Sequence, residues 1–285
     1  MKIVIIGSTG QLGTDLMKTL LNEHEVIGLT HKDIEVSDYE SCLILKKYKP
    51  EIIINTAAFH KTDQCEEEPL KAFSVNAIGA KNVATISKEI NAITVYISTD
   101  YVFDGSKTEP YTEEDIPNPI NTYGISKLAG ELYTKQNPKH YIIRIASLFG
   151  IAGSSGKGGN FVETMIKKAL NKEVIYVVDD IWMSPTYTKD AALIIKKILE
   201  NNLPYGIYHA TNKGYCTWFQ FAQEIFKLTV LTPIIKPIKK DQLQIKAKRP
   251  RFSPLESIKL PKFGIQIRRW EEALREYLIE KGYLS

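Results

Sequence analysis

The chain is poor in cysteine: three residues in 285, Cys42, Cys65 and Cys216, too scattered for a metal-binding spacing or a disulfide framework. It has no apolar run near the roughly 18 residues of a membrane span. It has no hydrophobic leader before a cleavage site either, because its apolar opening is one strand long. No Lys/Arg block suits nucleic acid, and the net charge is only +4. Internal repeats and low-complexity tails are also missing. The expectation is a soluble, cytoplasmic protein with no metal, no nucleic-acid partner and no membrane partner. Its length suits one large or two modest domains.

What is present begins at the N-terminus. Lys2-Ile-Val-Ile-Ile6 is a short β-branched run, the mark of a strand buried on both faces. Gly7-Ser-Thr-Gly10-Gln-Leu-Gly13 follows at once, then a helical pattern through Leu16, Leu20 and Leu21. Strand, glycine loop, helix is the context a dinucleotide requires. Glycines let the backbone approach the pyrophosphate, whose charge meets the helix N-terminus.

Strands and helices then alternate. The pattern predicts strands at Glu25–Thr30, Glu51–Asn55, Ala92–Ser98 and His140–Ile145, with helices over Leu70–Ile90 and Asn121–Gln136. This is an α/β chain with a Rossmann-like, doubly wound parallel sheet, whose ligands bind at the carboxyl ends of the strands. Asn55-Thr-Ala57-Ala58, Ser98-Thr99-Asp100 and Ile145-Ala-Ser147 all fall at such ends. After about residue 150 the texture changes to a glycine-rich stretch, 151–159, and later to a Pro/Lys-rich segment, 233–262. We expect a dinucleotide-binding domain over 1–150, completed by about 176–211. A smaller C-terminal substrate-binding lobe would be formed mainly by 151–175 and 212–285.

Tyr123-Gly-Ile-Ser-Lys127 lies in the second predicted helix, where residues four apart share a face. A lysine charge beneath the Tyr123 ring would favour the phenolate and lower the phenol pKa. Such a tyrosine donates a proton to a carbonyl under reduction, and Thr99 supplies a second hydroxyl for the same oxygen. The spacing alone is common: Tyr277/Lys281 repeats it on an amphipathic C-terminal helix and reads as a solvated face. Trp218, Phe219, Phe221 and Phe226 read as second-lobe core. Cys65-Glu66-Glu67-Glu68 reads as an exposed acidic helix start.

These motifs, with Ser98-Thr-Asp-Tyr-Val-Phe-Asp-Gly105, Ser184-Pro-Thr-Tyr187, Thr217-Trp-Phe-Gln-Phe221 and Arg249-Pro-Arg-Phe-Ser253, resemble the extended short-chain dehydrogenase/reductases. The likeness runs nearly end to end and is greatest to the dTDP-4-dehydrorhamnose reductases. It implies an NAD(P)H-dependent oxidoreductase of a nucleotide-linked 4-keto-6-deoxy sugar. Tyr123 would be the proton donor, Lys127 its tuner and ribose contact, and Thr99 the carbonyl anchor. The cofactor would lie against Gly7, Thr9, Gly10, Gln11, Leu12, Gly13, Thr30, Ala57, Ala58 and Asn76, besides Tyr123 and Lys127. The sugar nucleotide would meet His60, Asp100, Ser147, Asn160 and Arg249. Arg249 and Arg251 both suit a diphosphate, and Arg249 is the one chosen. A homodimer is expected as the oligomer.

The chain departs from the family where substrate is chosen. Ser147 stands where these reductases usually carry a tryptophan against the sugar, which removes a stacking surface. His60 replaces a threonine and brings an imidazole that can charge near neutral pH. The 151–159 loop is longer than usual, and its Lys157 reads as a mobile loop lysine. No acid ends the second strand, Leu29-Thr30-His31-Lys32, which favours NADPH slightly over NADH. Two other functions stay open. One is epimerisation or dehydration of a nucleotide sugar, although the dehydratases' Asp-Glu pair does not follow Thr99. The other is a non-catalytic NADP-binding subunit, like the regulatory subunit of methionine adenosyltransferase.

Overall fold

A computed structural model describes residues 1–153, 159–242 and 244–284. The chain opens with β1 (Lys2–Ile6), α1 (Gln11–Leu20), β2 (Glu25–Leu29), α2 (Tyr39–Cys42), α3 (Ile44–Tyr48) and β3 (Ile52–Asn55). It continues through α4 (Thr62–Glu67), α5 (Pro69–Phe73), α6 (Gly79–Glu89), β4 (Ile93–Thr99), α7 (Thr122–Thr134) and β5 (His140–Ile145). The six-stranded sheet has the order β2-β1-β3-β4-β5, and its sixth strand, β10 (Gly206–His209), pairs with β5. Every pairing in it is parallel. The order reverses between β1 and β3, the place beyond whose strand ends doubly wound sheets bind their ligands.

The central strands bury both faces, so they read as unbroken apolar runs. Ile3 and Ile5 point into one core with Leu12, Leu16, Ile52, Ile54 and Val95. Val4, Ile6 and Ile53 point into the other with Val36, Val83 and Ile86. The helix expected as one piece over 70–90 has a π-helical turn at Ser74–Ile78 between α5 and α6. Such turns have no signature in apolar periodicity and often mark functional places.

Between β5 and β10 the chain forms β6 (Leu148–Phe149), α8 (Phe161–Leu170), β7 (Ile175–Val178), β8 (Trp182–Met183), β9 (Thr186–Tyr187) and α9 (Thr188–Glu200). After β10 come β11 (Cys216–Thr217), α10 (Trp218–Thr229), β12 (Ile235–Ile238) and α11 (Trp270–Glu280). A second core gathers Phe149, Val162, Ile175, Phe221, Ile225 and Leu274. Strand β7 pairs with β12 and belongs to that core, whereas Ala191, Ile194 and Ile198 of α9 join the first core. Phe221 and Phe226 are second-core residues, with Trp218 and Phe219 packed against them. Tyr277 corrects the solvated-face reading. It is 0% exposed, donates to Glu163 Oε1 at 2.5 Å and receives Asn160 Nδ2 at 3.0 Å. Among the described residues no helix is long and apolar enough to cross a membrane.

Candidate active site

Helix α7 is placed by three groups at its N-terminus. Asn121 Oδ1 caps it by accepting the Gly124 N–H at 2.8 Å, while Asn121 Nδ2 donates to the Lys248 carbonyl at 2.8 Å. Glu66 accepts the Thr122 N–H at 2.8 Å and its hydroxyl at 2.6 Å. The acidic run read as solvated therefore holds the catalytic helix, using orphan donors that helix starts leave open. Gly124 is required by contact: a methyl carbon there would lie 2.1 Å from the Tyr101 carbonyl oxygen. This close approach sets Tyr123 edge-on to Tyr101, with ring centroids 5.9 Å apart.

Thr99 ends β4 against that tyrosine. Its hydroxyl donates to Asp100 Oδ1 at 3.1 Å and accepts the Tyr101 N–H at 3.2 Å, and it stands near the Tyr123 phenol. Burial pushes the Tyr123 phenol upward and outweighs the opposing effect of the Thr99 hydroxyl. The expected depression of its pKa is thus overturned, because desolvation disfavours the phenolate. A neutral phenol is the form a proton donor needs.

Lys127 is 1% exposed, and its Nζ donates to the Ile97 carbonyl at 2.6 Å. The ring under its ammonium is that of Tyr96, 4.0 Å to the centroid, rather than that of Tyr123. Burial lowers its pKa to about 7, with the Glu131 charge opposing. Asp100 is also buried, which raises its carboxyl to about 6 against the hydrogen bonds of Ser253 and Thr99.

The glycine loop has the shape a dinucleotide needs. Gly7 adopts φ +80°, and a methyl carbon at Gly13 would lie 2.1 Å from the Gly7 carbonyl oxygen. Gly10 precedes the first turn of α1. Gln11 donates Nε2 to the Leu148 carbonyl at 3.2 Å, and its Oε1 is buried with no hydrogen-bond partner among the described residues. The close backbone approach that these glycines allow, at a helix start, fits an anionic ligand. Thr9 is exposed, whereas Leu12 is 5% exposed and packs into the core. Ala57 and Ala58 line the turn after β3, where Asn55 Oδ1 accepts the Ala57 N–H at 3.1 Å. Thr30 donates its hydroxyl and N–H to Asp33 Oδ2, both at 2.8 Å.

Two expected ligand contacts are engaged within the protein. Asn76 sits in the π-helical turn, 0% exposed, and both its amide hydrogens are used. It accepts the Phe59 N–H at 2.9 Å and donates to the Phe59 carbonyl and to Ser126 Oγ, each at 3.0 Å. It shapes the loop after β3 with both of its amide hydrogens. Asn160 caps α8 by accepting the Glu163 N–H at 3.1 Å, and donates to Gly150 O and Tyr277 Oη, each at 3.0 Å. Its donors are spent within the second core.

The other residues expected on the substrate side lie on separate segments. Arg249 Nη2 pairs with Asp63 Oδ2 at 2.9 Å, and its charge acts on Tyr101. His60 is half-buried in the loop between β3 and α4. Ser147 takes φ +43°, and its carbonyl accepts the Thr186 N–H at 3.2 Å. Lys157 and most of the 151–159 loop lie outside the described residues. Sequence reasoning missed a cavity of about 570 Å³ where Trp182, Tyr215 and Phe252 meet edge to face or tilted beside Asp180 and Arg251. Its aromatics come from three distant stretches, so only Arg251, in the Arg-Pro-Arg run, carried a signal.

A doubly wound sheet, a glycine loop at its reversal, and Thr99, Tyr123 and Lys127 at one strand end define an extended short-chain dehydrogenase/reductase. The chain belongs to the family described as RmlD substrate binding domain, which matches residues 1–282. It is 42% identical over 284 residues to the Bacillus subtilis spore coat polysaccharide biosynthesis protein SpsK, covering 99% of this chain and 98% of that one. It is 36% identical to a dTDP-4-dehydrorhamnose reductase of Aggregatibacter actinomycetemcomitans, covering 96% and 97%. Among solved structures it resembles that enzyme from Bacillus anthracis in complex with NADP: TM-score 0.93, 38% identity, 98% and 99% of the two chains.

Proposed function

We propose that the chain is an NADPH-dependent reductase of a dTDP-linked 4-keto-6-deoxy sugar, of the dTDP-4-dehydrorhamnose reductase type. One observation carries this reading most directly: the Thr99 hydroxyl at the end of β4 stands close enough to the Tyr123 phenol to act on it, with Lys127 one helical turn on. The relatives of that name support the substrate class. An intact set of proton donors favours chemistry over a purely regulatory role.

When bound, the nicotinamide supplies the hydride. The protein's own part is proton delivery and placement. Thr99 orients the sugar carbonyl, and the Tyr123 O–H gives its proton to that oxygen as negative charge develops on it. The phenolate left behind is offset by Lys127, whose ammonium is partly retained near neutral pH. Gly7, Gly10 and Gly13 would hold the pyrophosphate by backbone.

NADPH is the proposed cofactor. Asp33, the acid nearest the end of β2, is turned onto Thr30, whereas His31 is largely exposed and Lys32 follows it. Cations suit a ribose phosphate where a free carboxylate would repel it. The B. anthracis relative is an NADP complex. Arg249 and Arg251 flank the path of the substrate diphosphate in this reading. The chain would work in the cytoplasm and as a homodimer, which cell fractionation and sedimentation equilibrium respectively decide.

The test is NADPH consumption with dTDP-4-dehydrorhamnose, with the product sugar identified by NMR and NADH run in parallel. Conversion to a 4-hydroxy sugar with NADPH preferred is the expected result. NADPH binding with no conversion of this or any other nucleotide 4-keto sugar contradicts the reading.

A further inference from the structure

We propose that Ser253 is a positioning residue for the catalytic Thr99, acting on it through the Asp100 carboxylate. The inference rests on the reductase reading for what Thr99 does, and on geometry for how Ser253 reaches it. Ser253 Oγ donates to Asp100 Oδ2 at 2.6 Å, and Asp100 Oδ1 accepts the Thr99 hydroxyl at 3.1 Å. Thr99 in turn stands beside the Tyr123 phenol and acts on it. A serine far along the chain is thereby two hydrogen bonds from the hydroxyl that orients the carbonyl.

Ser253 is itself held firmly. Its N–H donates to the Trp182 carbonyl at 3.1 Å, and the Trp182 N–H donates to the Arg251 carbonyl at 2.8 Å. Gly105 at φ +80° lets the same strip press close: a methyl carbon there would lie 2.7 Å from Arg251 N. The strip also carries Arg249. A diphosphate drawn to Arg249 and Arg251 would therefore load the segment that fixes Thr99, coupling recognition of the nucleotide to alignment of the carbonyl.

The carboxylate form of Asp100 accepts both hydroxyls, so the arrangement needs it ionised. Around Asp100 stand Tyr101 beside it and Tyr123 from α7. The Arg249–Asp63 pair lies near Tyr101, Cys65 acts on Tyr123, and Lys127 follows Tyr123 by one helical turn. Burial raises the Asp100 carboxyl to about 6, and the Ser253 hydrogen bond opposes that rise. Removing a donor to the charged form raises a carboxyl further.

The experiment titrates the Asp100 carboxyl by carbon NMR in wild type, Ser253→Ala and Ser253→Thr, its signal assigned by its loss in Asp100→Asn. In parallel, kcat is measured against pH. The expected result is an Asp100 midpoint about one pH unit higher in Ser253→Ala. In that variant kcat falls about tenfold, its acid limb moves to higher pH, and the KM for NADPH stays near wild type. Ser253→Thr, which keeps the hydroxyl, restores both. An unmoved Asp100 titration overturns the proposal. So does a loss of kcat equal at every pH and accompanied by a lower melting temperature. If the wild type reduces no nucleotide 4-keto sugar, the reductase reading fails, and the carboxyl titration still decides the Ser253–Asp100 coupling.

Discussion

Arg144 grips Glu131 with two prongs, Nε to Oε1 at 2.9 Å and Nη2 to Oε2 at 2.8 Å, and the two side chains are 1% and 0% exposed. Ser98 adds its hydroxyl to Glu131 Oε1 at 2.6 Å. The pair ties α7 to β4 and β5 directly behind the site, and Glu131 holds the Lys127 pKa up against burial. Tyr123, Lys127 and Glu131 thus form one column at helical spacing, running from the chemistry to a buried anchor.

Removing one partner of a buried pair leaves an uncompensated charge. Glu131→Gln should lower stability by about 3 kcal/mol, read by urea unfolding, and should drop the Lys127 pKa further. A variant as stable as wild type would remove the anchor from this picture.

Lys127 also gives a pH signature. Its folded pKa is about 7, below the ordinary 10.5, so between those values the unfolded chain binds a proton that the native chain has released. Stability from this residue therefore rises with pH across that window. The stability of wild type relative to Lys127→Met should shift in favour of wild type between about pH 7 and pH 10. Urea unfolding at the two ends measures it, and a flat difference would contradict the buried ammonium.

Gly13→Ala places a carbon on the Gly7 carbonyl. Overpacking of this kind costs about 1–3 kcal/mol, and displacing the loop should weaken NADPH binding at least about tenfold. Fluorescence titration of NADPH checks it.

Asn160→Ala separates a helix cap from a substrate contact. Loss of the cap should cost about 1 kcal/mol, with the KM for the sugar nucleotide near wild type. A KM raised alone, at unchanged stability, would restore the contact expected from the sequence.

The sheet was readable because its strands are buried on both faces and carry uninterrupted apolar runs, as Ile3–Ile6 and Ile52–Ile54 do. The Thr99/Tyr123/Lys127 set was readable because residues of one helix and one strand end are related by local geometry. Other features depend on partners distant in sequence. Asn76 and Asn160 look like ligand contacts until Phe59, Ser126, Gly150 and Tyr277 are seen to use their amides. The rise of the Tyr123 pKa depends on burial, which motif spacing does not encode. Ser253 stood inside a quoted motif, yet its role needed Asp100 to be placed opposite it.

The most direct test of the central claim compares Tyr123→Phe with wild type, measuring both NADPH affinity and turnover of dTDP-4-dehydrorhamnose. Removing only the phenolic hydroxyl should lower kcat by about 10²–10⁴ while leaving the NADPH Kd nearly unchanged. Near-normal turnover in the variant would contradict Tyr123 as the proton donor, and with it the assigned site.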